Sequence, residues 1–149
     1  MKSNIPILTG LSLLLLIFGC AQTKLYDYQP TSASEKEVFE FFVDCDKAVG
    51  EKNLEKYMSC YNDDARIRIF IGHETNIWVS KEEFRKRLED GLWDKWESNK
   101  FQSPKITVNG NKAIVKCTMP GEPPWVAKHK VDLIKENGQW GIIKWGYKW

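Results

Sequence analysis

The chain has 149 residues, with 22 basic and 20 acidic side chains, and 42% of it is hydrophobic. That length suits one domain with one core. The near balance of charge argues against a polyanion partner, nucleic acid included, and the run Lys128-His129-Lys130 is too short to alter this.

Residues 1–20 have the form of an export signal. Lys2 supplies the positive start, and Ile5 to Phe18 form an apolar run broken only by Thr9, Gly10 and Ser12. The run is shorter than the ~20 apolar residues needed to cross a bilayer. Its ending, Ile17-Phe18-Gly19-Cys20, resembles the lipobox of bacterial lipoproteins, although Phe18 is bulkier than such signals usually carry. The resemblance implies that residues 1–19 are a signal peptide, that Cys20 takes a diacylglyceryl thioether, and that its freed amine is acylated with palmitate or a similar chain. More than one acyl chain would hold the protein permanently on a lipid membrane. Ala21 in place of Asp implies a cell-envelope location on the periplasmic face of the outer membrane, if the host has two membranes. Residues 20–33 then form the lipidated cysteine and a polar tether. Leu25, Tyr26 and Tyr28, its bulky groups, are expected to lie on the domain surface.

The domain proper is expected over residues 34–149. Ser34 and Glu37 form a capping-box pattern, and Val38, Phe42, Cys45 and Val49 recur at helical spacing up to Gly50. Leu54, Tyr57, Met58 and Tyr61 make a second short apolar face, which Asn62-Asp63-Asp64 should end. Arg66 to Ile71 alternates as one half-buried strand does. Ser80 with Glu83 caps a third helix that carries Phe84, Leu88 and Leu92 and reaches toward Trp96, with Gly91 as a point of division. From Pro104 the period becomes two. Ile106 and Val108 precede an Asn109-Gly110 turn, and Ala113, Val115, Cys117 and Met119 share one face. Residues 120–124 must form a loop or a bulged edge, and strands follow over 125–134 and 139–147, joined at Asn137-Gly138. The order implies an α+β fold, three N-terminal helices packed on a curved antiparallel sheet. Beyond Cys20, three cysteines remain. Cys45 and Cys60 could face each other across the helical hairpin as a disulfide, or all three could be buried as small hydrophobes.

Three stretches carry a family resemblance: residues 52–69 with Tyr61-Asn62-Asp63-Asp64-Ala65, residues 78–88, and residues 129–147 with Asn137-Gly138 and Trp140. The chain resembles the NTF2-like superfamily, which includes SnoaL-type cyclases and ketosteroid isomerase, and the resemblance implies a cone-shaped α+β fold. The isomerase residues are not carried over. The base position falls at Ile69, the oxyanion tyrosine at Cys45, and the oxyanion acid near Lys130, or at His129 or Val131 with a one-residue slip. Asp63 and Asp64 point in different directions and suit a structural role.

No metal-ligand spacing or phosphate loop is present, and no metal or cofactor is expected. Pocket-lining candidates are Phe42, Tyr61, Ile69, His129, Trp145 and Tyr147, with Ile143, Trp145 and Tyr147 expected on one strand face. These features describe a membrane-anchored lipoprotein with a non-enzymatic domain binding a partner protein or a small apolar ligand. The alternative is a SnoaL-like envelope enzyme, of isomerase, cyclase or hydrolase type, using His73, His129 and Tyr147. Four tryptophans fall in the last 25 residues. With aromatics expected on both faces of the late strands, a homodimer or an envelope protein partner through the sheet is expected, anchored by Trp125 and Trp149.

Overall fold

The structure, a computed structural model, describes residues 22–71, 75–120 and 126–148. The signal, Cys20, His73, Trp125 and Trp149 lie outside the described residues.

Helix α1 runs Ala33–Gly50 and α2 runs Leu54–Ser59. Strands β1 (Tyr61–Ile71) and β2 (Thr75–Ser80) follow, then α3 (Lys81–Arg87). Strands β3 (Gln102–Asn109), β4 (Lys112–Pro120), β5 (Val126–Glu136) and β6 (Gln139–Lys148) complete the chain. The six strands form one sheet in the order β2-β1-β6-β5-β4-β3. Pairing is antiparallel except between β1 and β6, which run parallel. Among the described residues no helix is long and apolar enough to cross a membrane.

The expected helical stripe is buried: Val38, Phe42, Cys45 and Val49 all face the core. The cap sits two residues earlier than expected. Ser32 Oγ accepts from Glu35 N, and the Glu35 carboxylate accepts from Thr31 N and Oγ1. At α3 the expected cap holds, since Ser80 Oγ accepts from Glu83 N. Gly91 (φ 110°) breaks the continuation of α3 into a π turn over Leu88–Leu92 and a 3-10 turn over Trp93–Lys95. That positive φ is open to glycine without steric cost. At the last hairpin, Asn137 and Gly138 both have positive φ (51° and 82°), the signature of a type I′ turn.

Several expectations need correction. Helix α2 stops at Ser59, so Asp63 and Asp64 lie on β1 rather than at a helix exit, both exposed, with Asp63 paired to Lys81 at 2.9 Å. Two early strands exist instead of one, because Trp78 and Val79 pair with Arg68 and Ile67 rather than opening the third helix. Ile143 does not share a face with Trp145. A register shift pairs Asp132 with Lys144 but Leu133 with Ile142, so Ile143 is the extra residue of a bulge. The bulge lets Ile142 and Trp145 both turn inward, where each is buried.

The segment expected to be a tether is docked from Thr23 onward. Leu25 is fully buried, Leu25 N donates to Phe101 O, and Ser103 N donates to Thr23 O. Tyr26 Oη donates to Asp46, which sits on the buried face of α1 and also accepts from Asn99 N at 2.8 Å. Desolvation raises the Asp46 pKa, and these two hydrogen bonds pull it partly back. A lone Leu-Tyr pair in polar surroundings has no periodicity, so the pattern could not reveal this docking.

Cys45 and Cys60 are disulfide-bonded with their Cα atoms 6.1 Å apart, and Cys117 is a buried free thiol. The reading of all three as simple buried hydrophobes therefore holds for Cys117 alone. The short turn between α1 and α2 folds Cys60 back onto the face of α1 that carries Cys45.

Candidate functional site

Between the helices and the inner face of the sheet lies a cavity of about 520 Å³. Its wall is largely aromatic. Tyr57 comes from α2, Tyr61 from the start of β1, Phe84 from α3, and Trp145 from β6. Trp96 and Phe101 come from the connection between α3 and β3, and Ile67, Ile69, Met119 and His129 from the strands. The period-two pattern explains the strand contributions, because alternate residues of β1, β5 and β6 must share the inner face. The connection is placed differently. Lys52, at the turn after α1, sends Nζ to the carbonyl oxygens of Trp93, Asp94 and Trp96 at 2.9, 3.2 and 2.7 Å. Three donors on one ammonium thus hold the segment that presents Trp96.

The rings form a continuous chain. Tyr61 stacks on Trp145 at 6.2 Å between centroids, and Phe101 lies 5.6 Å from Trp145. Phe84 meets Tyr61 at 5.8 Å and Trp96 at 6.0 Å, both edge-on. Such tilted and edge-on contacts each add about 0.5–1.5 kcal/mol beyond area burial.

The polar groups in this wall are few and neutral. Tyr57 Oη and Tyr61 Oη are hydrogen-bonded at 2.7 Å, and burial raises both pKa values, so both stay protonated. Whichever hydroxyl donates, the other keeps its own proton to offer. Trp145 Nε1 donates to His129 Nδ1 at 3.0 Å. An indole can only donate, so Nδ1 must be the accepting nitrogen and the ring proton sits on Nε2. Burial lowers the His129 pKa from 6.5 to about 4, which keeps the ring neutral at ordinary pH. Among the described residues, charge in this lining is confined to the exposed Lys95, Glu97 and Lys100 at the mouth and to Arg68 of β1, which also lines a groove on the outer face. Glu97 is ion-paired with Lys100 at 2.7 Å, and that hydrogen bond lowers its pKa.

The sequence-derived candidates separate clearly. Tyr61, Ile69, His129 and Trp145 line the cavity together. Phe42 does not line it. The ring is buried 5.8 Å from Trp145 and 5.7 Å from Phe101, supporting the wall from behind. Tyr147 pairs with His129 along the β5–β6 ladder, its side chain lying outside the described residues. Cys45 is in the disulfide, and Lys130 is exposed on the outer face. His129 and Val131, the two residues that a one-residue slip would exchange for Lys130, are both buried. Phe84 and Tyr57 were visible in the sequence as helix-stripe residues. Trp96 was expected only as the far end of the third helix, and Phe101 sits in an aperiodic stretch that carried no signal. Among the described residues no cluster of His, Cys, Asp or Glu could hold a metal ion.

Of the four late tryptophans, Trp140 and Trp145 are buried on the helix side, and Trp125 and Trp149 lie outside the described residues.

No family model matches the sequence, and no curated protein matches it. Solved structures do match. An NTF2-like protein of unknown function from Pseudomonas putida KT2440 superposes with a TM-score of 0.62 at 16% identity, over 80% of this chain and 89% of that one. An NTF2-like protein of unknown function from Silicibacter pomeroyi DSS-3 gives 0.57 at 14% identity, over 78% and 98%. An NTF2-like protein with a cystatin-like fold from Novosphingobium aromaticivorans gives 0.56 at 9% identity, over 75% and 79%. At these identities the likeness is one of fold alone. The chain has the NTF2-like α+β fold, with helices on a curved, unclosed and mostly antiparallel six-stranded sheet.

Proposed function

We propose that this is an exported, lipid-anchored protein whose cone binds a small, mostly apolar, ring-bearing molecule without transforming it. The observation that carries the reading is the cavity of about 520 Å³, walled by Tyr57, Tyr61, Phe84, Trp96, Phe101 and Trp145. Its size falls within the range of small-molecule sites, roughly 300–1,000 Å³, and its apolar wall with a few fixed polar groups has their usual chemistry. The Tyr57–Tyr61 hydroxyl pair and the His129 imidazole would orient the bound molecule, and the lysines at the mouth suit one carrying an acidic or carbonyl substituent.

Catalysis is disfavoured by the same wall. The position where the isomerase resemblance implies a base is filled by Ile69, and the one carboxylate of the described lining, Glu97, is ion-paired with Lys100 at the mouth. His129 cannot supply the base either, because its Nε2 carries the ring proton and the lone pair on Nδ1 already accepts from Trp145 Nε1. The alternative set of His73, His129 and Tyr147 would thus begin from a poor base.

Export is supported by residues 1–20 and independently by the Cys45–Cys60 disulfide, since such bonds persist in oxidising compartments. The ligand reading is tested with 1-anilinonaphthalene-8-sulfonate, an apolar ring system bearing one anionic group. Saturable binding with energy transfer from tryptophan is expected. Ile69→Trp, which fills the wall, and Ala127→Trp, at the mouth, should each abolish it while melting remains cooperative. Equal binding by the wild type and both folded variants would refute the assignment to the cone.

A further inference from the structure

The outer face of the sheet collects positive charge that no stretch of the sequence displays. The strand pairings set Lys105 opposite Lys116, Lys116 opposite Lys130, and Lys130 opposite Gly146. Arg68 pairs with Trp78 and lies level with Gly146, one step beyond the Ile67–Trp145 pair. One row therefore crosses all six strands, a span of roughly 24 Å at the usual strand spacing. Lys128 and Lys144 flank it, and these cations with Trp78 line a single open groove of about 490 Å³. Among the described residues Asp132 is the one acid in that lining, paired with Lys130 at 2.9 Å. Trp78 is 37% exposed, with Lys144 Nζ 4.8 Å from its ring centroid. It lies against Gly146, where a Cβ would approach the indole to 3.0 Å.

A second observation says what covers this face. Thr23 O accepts from Ser103 N at 2.7 Å, and Ser103 lines the same groove. Cys20 precedes Thr23 by three residues, so it can be no more than about 11 Å of chain from the groove's edge. An acyl chain at Cys20 would have to enter a bilayer within that distance. It would bring the near end of the lysine row to the headgroups, where charges act over ~8 Å at physiological salt.

We propose that this sheet face docks on the anionic phospholipid headgroups of the membrane that holds Cys20. The proposal rests on the lipid-anchor reading above. Lysine stems lie along the sheet with their ammonium groups in the headgroup layer, and Trp78 sits at the interface, where indoles are enriched. A second copy of the chain is a poor occupant, because a two-fold pairing would set one lysine row against another. Docking would also fix the orientation of the domain. The sheet faces the membrane, and the helices face the aqueous compartment.

The test uses the full chain as processed and purified from membranes, placed on phosphatidylcholine vesicles with and without 30% phosphatidylglycerol (~, a typical anionic share). A water-soluble amine reagent should label Lys116 and Lys130 on neutral vesicles and be excluded on anionic ones, and 0.5 M salt (~, a screening dose) should restore labelling. Lys116→Gln with Lys130→Gln, both exposed positions, should weaken co-sedimentation of unacylated chain with anionic vesicles by about 25-fold, near fivefold per lysine. Intact mass of the same preparation reports acylation separately, and unacylated chain is scored by co-sedimentation alone. Failed lipidation and failed docking therefore read differently. Equal labelling on both vesicle types overturns the proposal. So does a chain that ignores anionic vesicles but is retained by heparin or an oligonucleotide, which would give the face to a free polyanion.

Discussion

Breaking the Cys45–Cys60 bond is the sharpest test of how the two halves of the helical layer are joined. The bond closes a loop of 15 residues across the turn between α1 and α2. In the chain-entropy account, opening a loop of that size costs about 3 kcal/mol. Both cysteines are buried, so the reduced thiols stay in apolar surroundings that suit them and add little further penalty. For a domain of this size the loss should lower the melting temperature by about 10 °C. The assay is thermal unfolding followed by tyrosine and tryptophan fluorescence, with and without dithiothreitol, and again in Cys45→Ala/Cys60→Ala. The double variant should melt where the reduced wild type melts and should ignore the reductant. Thiol titration provides an internal control. Unfolded but unreduced protein acylated at Cys20 should show a single thiol, Cys117, and the folded protein none, because burial pushes the Cys117 pKa up to about 12. Three free thiols in the unreduced protein, or a melting temperature indifferent to dithiothreitol, would refute the bond and withdraw its support for export.

Leu25→Ala should cost about 3 kcal/mol in urea unfolding although it lies before the first helix, because its side chain is fully buried; a loss below about 1 kcal/mol would return the segment to the surface. His129 binds its proton near pH 6.5 when unfolded but near pH 4 when folded. Its contribution is therefore intact above pH 6.5 and is lost as pH falls toward 4, at about 1.4 kcal/mol per pH unit and about 3 kcal/mol in all. His129→Asn, which can still accept from Trp145, should remove that part of the acid slope. Identical slopes in the two proteins would mean that the ring is not buried. Cys20→Ser should release the domain from the membrane fraction and abolish the added mass of the acyl groups, and a protein of unchanged mass that stays tethered would show that Cys20 is not the anchor.

Sequence periodicity determined the elements whose signals are local. The stripe of Val38, Phe42, Cys45 and Val49 needs only one helix to be read, and the alternation of Ala113, Val115, Cys117 and Met119 needs only one strand. The Asn137-Gly138 turn is a property of two residues. On these the α+β architecture was legible. What the tertiary structure decided depends on which segments meet. Leu25 is a core residue because β3 and Phe101 offer it a place, and Cys60 finds Cys45 because a turn of a few residues folds α2 back on α1. The bulge at Ile143, invisible to a period-two pattern, chose which late residues reach the cavity. Charge shows the difference most plainly. Along the chain, acids and bases alternate to a net charge of +2, which pointed away from any polyanion. Across the sheet, register places Lys105, Lys116 and Lys130 side by side, although 11 and 14 positions separate them in sequence. Electrostatic potential sums over distance in space, so a nearly neutral sequence folds into a molecule with one strongly basic face.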